Sequence, residues 1–207
     1  MNESKFTIGV LASGRGTNLQ AIINAIETGV LTAQIGAVIS DKKDAKALER
    51  ARERNIPSFS VDPKVYPDRA DFDTAIVRIL TEQKVQLVVF AGYMRLITKP
   101  ILEAFPNKII NIHPSILPAF PGLHAQRQAL AYGAKISGCT IHFVDAEMDH
   151  GPIIAQVAVP ILEGDTDESL SNRILIEEHR LLPRVIQAYV EGRLSVEGRK
   201  VLQNGAI

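Results

Sequence analysis

Residues 6–22 read F-T-I-G-V-L-A-S-G-R-G-T-N-L-Q-A-I, and the architecture starts from them. Phe6–Ala12 is apolar enough for a buried strand, and Asn18–Thr28 repeats apolar residues at helical spacing. Gly14-Arg15-Gly16 joins the two. Helix N-termini present free N–H groups and a partial positive charge, so a loop of this kind suits an anion. At this point it could hold a dinucleotide cofactor, hold another phosphate, or be a bare turn.

Outward from this unit the same alternation continues. Gln34–Ile39, Ser58–Val61, Leu87–Ala91 and Ile109–His113 read as strands. Asp44–Asn55, Arg69–Gln83 and about Thr98–Phe105 read as helices. Repeated β-α-β alternation with fully apolar strands predicts an α/β fold: an open, mostly parallel sheet with helices on both faces. After residue 135 the strands G-C-T-I-H-F-V and P-I-I-A-Q-V-A-V-P follow each other with no helix between them, which predicts an antiparallel edge near the C-terminus. A long helix from Asp167 to about Glu191 and a polar tail complete the chain.

The chain has 207 residues, of which 46% are apolar, enough for one well-buried domain and short for two. One domain over 1–207 is therefore expected. Basic and acidic residues balance at 23 each, which argues against nucleic acid or an anionic membrane as partner. No apolar run approaches the roughly 18–20 residues of a membrane span. Cys139 is the only cysteine, so no internal disulfide can form, and a cytoplasmic location is expected. Five dispersed histidines show no metal-ligand spacing, and no metal is expected.

The dinucleotide fingerprint needs a third glycine, but Leu19 stands there. Asp41 lies at a tempting distance for a ribose contact, yet in S-D-K-K-D-A both Asp41 and Asp44 serve as turn and N-cap residues. The P-loop ending is absent as well. A nicotinamide cofactor is not expected, and a single phosphate monoester on Gly16, Thr17 and Asn18 is the modest inference.

K-I-I-N-I-H-P-S-I-L-P-A-F-P-G-L-H, residues 108–124, carries the chemistry. Asn111 and His113 are two apart on a strand and share a face. Pro114 cannot donate to a ladder and helps end the strand. Both side chains thus fall at a carboxyl strand end, where open α/β folds bind ligands. Asp145, Glu147 and Asp149 form a second polar cluster on a later loop.

N-I-H-P-S-I-L-P with F-P-G-L-H, the loop ending M-D-H-G-P, and S-G-R-G-T-N-L-Q together resemble the folate-dependent formyltransferases, in the branch acting on glycinamide ribonucleotide. The similarity runs from about residue 6 to 190. It implies a Rossmann-like sheet, with a phosphate-binding half at about 1–105 and a folate and catalytic half at about 106–190. It also implies transfer of a formyl group from 10-formyltetrahydrofolate, the co-substrate, to the glycyl amine of a ribose phosphate, a step of purine synthesis. Asn111, His113 and Asp149 would be catalytic. Gly16, Thr17 and Asn18 would hold the phosphate, and Glu178, otherwise an exposed helix residue, a ribose hydroxyl. The folate would meet Arg69, Met94, Arg95, Leu96, Ile97, Asn111, Asp145, Ala146, Glu147, Met148 and Asp149. His150 stands where the family more often has a small residue. Such a family allows a monomer or a homodimer.

Overall fold

The computed structural model describes residues 5–207, which form two compact units that divide between Ile110 and Asn111.

In the first unit the strands are β1 (Phe6–Leu11), β2 (Ala33–Ser40), β3 (Ser58–Ser60) and β4 (Leu87–Phe90). They run parallel in the order β3-β2-β1-β4, which requires a crossover between each pair. Helices α1 (Thr17–Glu27), α2 (Lys46–Arg52) and α3 (Arg69–Glu82) supply those crossovers, and α4 (Lys99–Ala104) follows β4. Ile8, Val10, Leu11, Val38, Ile39, Leu87, Val88 and Val89 are fully enclosed, as strands covered on both faces must be. One helix cap differs from expectation. Ala45, not an aspartate, occupies the N-cap of α2 and supplies no side-chain cap, while Asp44 is exposed.

The unit boundary falls inside β5 (Ile109–His113). In the second unit β6 (Ile136–Phe143) and β7 (Ile153–Pro160) pair antiparallel, as their sequence implies. They are not the edge. The segment expected as a polar tail forms a hairpin, β8 (Leu194–Glu197) and β9 (Lys200–Gln203), and β9 pairs parallel with β7 at Ile153 and Lys200. Leu194, Val196 and Val201 are half-buried while Ser195, Glu197 and Lys200 are exposed, with Gly198 turning at φ 60°. That is the alternation of a one-sided strand pair. A short helix, α5 (Ala125–Tyr132), also escaped the sequence reading; it ends on Gly133 in the left-handed conformation, a common helix stop.

Helix α6 (Asp167–Val190) begins with a reciprocal capping box between Thr166 and Ser169, and Asp167 and Glu168 complement its dipole. Its buried stripe includes Leu170, Ile174, Leu181, Leu182, Val185 and Ile186. The stripe continues on both sides of Pro183, so tertiary burial outweighs the lost backbone hydrogen bond.

Candidate active site

In the first unit Gly16 is the N-cap of α1, at φ 68° and ψ 30°, with no side-chain cap. The first N–H groups of that helix lack intrahelical partners by geometry. Gly16 is required twice over: its φ is left-handed, and a Cβ would come within 2.7 Å of Ala47 Cα. The loop is braced from α2, where the Ala47 N–H donates to Gly14 O (3.1 Å). Arg50 Nε donates to Arg15 O (3.0 Å) and its Nη1 to Gln20 Oε1 (2.9 Å). Asn18 is buried and Arg15 is exposed.

The segment after β4 is tied to this loop. Ser13 N–H donates to Gly92 O (3.0 Å), and Met94 N–H donates to Ser13 Oγ (2.9 Å). Met94 and Leu96 remain exposed, an apolar surface of the kind a flat ring system covers. Arg95 turns inward instead: its guanidinium lies 5.2 Å from the Phe72 ring centroid and 3.8 Å from Asp41 Oδ2. Asp41, in the bend after β2, is thus also the buried partner of a cation. Asp73 closes the segment by accepting from Thr98 N–H (2.6 Å) and Oγ1 (2.7 Å). Burial raises its pKa above the usual carboxylate value, against the pull of these bonds, Arg95 and Arg69. Arg69 opens α3 on the exposed side, and Ile97 is half-buried.

In the second unit β5 delivers Asn111 and His113, and the β6–β7 loop delivers Asp149. His113 Nε2 donates to Phe120 O (2.9 Å), and its Nδ1 lies 3.3 Å from Asp149 Oδ2. With an acceptor facing each ring nitrogen, the ring can donate on both sides only as an imidazolium. Asn111 Nδ2 lies 3.4 Å from Asp149 Oδ1. Asp149 Oδ2 also accepts from Gly122 N–H (2.7 Å), so one carboxylate links amide, imidazole and the proline-rich loop. That loop is pinned from behind: Thr140 Oγ1 donates to Ser115 O (2.7 Å) and accepts from Leu117 N–H (3.0 Å).

His142 is the member that sequence reasoning missed. Its Nδ1 donates to Phe143 O (2.8 Å), leaving Nε2 to accept from Asn111 Nδ2 (3.2 Å). Burial lowers its pKa, outweighing the backbone carbonyl and Asp149, so it stays a neutral acceptor. The available signal was Thr140-x-His142: two polar residues at strand spacing inside an apolar run. Between His142 and Asp149 the amide hydrogens of Asn111 are oriented, and the long contact to Asp149 is the one a reacting oxygen could take over.

Asp145 to Asp149 form the loop rim. Asp145 Oδ1 accepts from Glu147 N–H (3.0 Å), and Ala146, Glu147 and Met148 are exposed. Met148 packs near Gly122, whose absent Cβ would lie 3.4 Å from Met148 Cε. Glu178 is not an ordinary exposed helix position: it is 4% accessible on α6, and its charge helps burial push the Cys139 thiol up to about 12. Cys139 is therefore no nucleophile at neutral pH. Among the described residues no group of three or more His, Cys, Asp or Glu could hold a metal ion. No helix among them is long and apolar enough to cross a membrane.

The arrangement in the second unit is one fixed carboxylate, one oriented amide and two imidazoles in different roles. It can donate hydrogen bonds to a developing oxyanion and move a proton beside it.

Comparison with known proteins agrees with that chemistry. A profile of the formyl transferase family matches residues 6–186. The phosphoribosylglycinamide formyltransferase of Bacillus subtilis is 47% identical over 86% of this chain and 91% of its own. The crystal structure of glycinamide ribonucleotide transformylase 1 from Symbiobacterium toebii matches with TM-score 0.95 and 55% identity, over 96% of this chain and 94% of that one. The trifunctional purine biosynthetic protein adenosine-3 of Gallus gallus is 42% identical over 93% of this chain, which spans only 19% of that longer protein.

Proposed function

This chain belongs to the formyl transferase family, and from that premise we propose that it carries out the phosphoribosylglycinamide formyltransferase reaction. The formyl group passes from 10-formyltetrahydrofolate to the glycyl amine of N1-(5-phosphoribosyl)glycinamide. The products are the N-formyl compound and tetrahydrofolate, and the step belongs to purine synthesis. The observation that carries the reading is the junction of Asn111, His113 and Asp149 through the one carboxylate.

The amine lone pair attacks the formyl carbon and the carbonyl electrons move onto oxygen. Asn111 donates to that oxyanion, which a carboxylate could not do, and a protonated His113, whose N–H groups face Phe120 O and Asp149, stabilises it by its charge. One such donor is typically worth about 3–4 kcal/mol of barrier. As the tetrahedral intermediate collapses, the bond from carbon to the folate nitrogen breaks. That nitrogen gains a proton and the former amine loses one, with His113 and Asp149 handling the transfer. Gly16, Thr17 and Asn18 take the 5-phosphate through main-chain N–H groups, and Glu178 takes a ribose hydroxyl. The folate lies against Met94, Leu96 and Ile97, and against the rim 145–149. Arg69, exposed at the start of α3, supplies positive charge for its carboxylates, and Arg95 adds its own on leaving Asp41. The single-domain reading and a cytoplasmic setting complete the proposal; sedimentation velocity decides between the monomer and the homodimer that such a family allows.

The deciding assay measures tetrahydrofolate release with and without the ribonucleotide acceptor. Release only with acceptor is expected. Equal release without it would make the protein a formyltetrahydrofolate hydrolase, and none at all would leave a binding module.

A further inference from the structure

We infer that Arg199, at the tip of the C-terminal hairpin, is a positioning residue for the loop that carries Asp149. The inference rests on the catalytic reading of Asp149 given above. The family profile ends at residue 186, so the hairpin lies outside the matched segment.

The β6–β7 loop is closed at its base, where Phe143 N–H donates to Pro152 O (2.9 Å). Gly151 passes so near Phe143 O that a Cβ would fall 1.9 Å from it. Beyond this base the loop rises to Asp149, whose backbone is held at φ 51°, a left-handed conformation that costs a side-chain-bearing residue energy. A conformation of that kind persists only if neighbours enforce it. On one side the Asp149 carboxylate holds Gly122 N–H. On the other the next residue, His150, is gripped from the hairpin.

Arg199 Nη2 donates to His150 O (2.6 Å). The His150 ring is held by its neighbours on two sides. Its Nδ1 lies 2.9 Å from Asp145 Oδ2 and donates to it. Arg199 Nη1 lies against the ring, 3.2 Å from Nδ1 and 3.0 Å from Nε2. The chain Asp145–His150–Arg199 thus joins the start of the loop to its end and both to the hairpin. The hairpin is itself anchored beside the loop exit, where Ile153 pairs with Lys200 and the Gln203 amide donates to Ile154 O.

The clasp is built for geometry more than for stability. His150 and Asp145 are 44% and 35% exposed, and exposed ion pairs contribute little to folding. A displaced catalytic group, in contrast, is costly: an error of about 1 Å can cost about 10²-fold in rate. Loss of Arg199 therefore acts on turnover and leaves the fold standing.

The test uses full-length wild-type, Arg199→Ala, Arg199→Lys and His150→Ala proteins. Arg199→Ala lowers kcat roughly 10- to 100-fold, with the ribonucleotide KM and the thermal midpoint near wild type. Amides of residues 146–150 exchange faster with deuterium. Arg199→Lys, which can reach one acceptor but not bridge two, is intermediate. His150→Ala keeps the carbonyl and loses less, and the double variant falls no further than Arg199→Ala alone. Wild-type kcat together with wild-type exchange in Arg199→Ala overturns the inference. So does a loss of kcat that tracks global unfolding or raises both KM values alike. If the wild-type protein transfers no formyl group, the catalytic reading fails, and the exchange comparison still decides whether the clasp exists.

Discussion

The glycine loop of the first unit and the Asn–His–Asp cluster of the second are built from opposite materials. Gly16–Asn18 would bind through main-chain N–H groups and contains no charged side chain, because the backbone itself must approach the ligand. The cluster would work through side chains, each oriented by its neighbours: His142 and Asp149 set Asn111, and Phe120 O and Asp149 set His113. The first depends on what is absent, a Cβ. The second depends on what is present across 38 residues of sequence. Substitutions in the loop should therefore weaken binding of a phosphorylated acceptor, whereas substitutions in the cluster should slow chemistry.

The largest test of this contrast is Asn111→Ala or His113→Ala. Each is expected to lower kcat by about 10²–10⁴-fold, with an unchanged far-UV circular dichroism spectrum. Near-normal kcat in either would remove that residue from the mechanism. Next is Gly16→Ala, which must adopt a left-handed φ and press against Ala47. The backbone strain alone is about 1–2 kcal/mol, so the acceptor KM should rise about tenfold or more while the folate KM holds. A drop confined to kcat would break the contrast. Arg50→Ala removes only the brace on Arg15 O and Gln20, bonds worth about 0.5–1.5 kcal/mol net. A rise of about 2- to 10-fold in acceptor KM is expected, and no rise would show that the glycines hold the loop unaided.

The smallest effect is on stability against pH. His142 has a folded pKa below its ordinary value of 6.5, so the unfolded chain binds its proton first as pH falls. Stability is full above 6.5 and declines from there down towards the lowered folded value. Thermal midpoints from pH 8 to 5 should fall more steeply for wild type than for His142→Gln. His179, also lowered by burial, leaves a residual slope. Identical slopes would show that His142 does not stay neutral in the fold.

The elements of the first unit were readable because apolar periodicity is local: β1, α3 and β4 lie within a residue of their expected bounds. The Asn111-x-His113 pair was readable for the same reason, since strand spacing puts both on one face. Other features were hidden. The pairing of Asp41 with Arg95 does not show in a residue that also suits a bend, and Glu178 is buried on α6 although I-E-E-H-R reads as polar. His142 was one of five scattered histidines. The hairpin 194–203 was passed over as a tail because its alternation is short and its charges are many.

From the sequence alone came the α/β alternation, the phosphate-suited loop with its missing third glycine, and a candidate catalytic pair on one strand face. Each depends on residues within a few positions of one another, where backbone geometry fixes the outcome. Only the tertiary structure decided that Asp149 meets that pair, that His142 orients the amide, and that the hairpin grips His150. Those contacts arise when an antiparallel loop and a C-terminal hairpin return to the same place, and no local period encodes which distant segments will be neighbours.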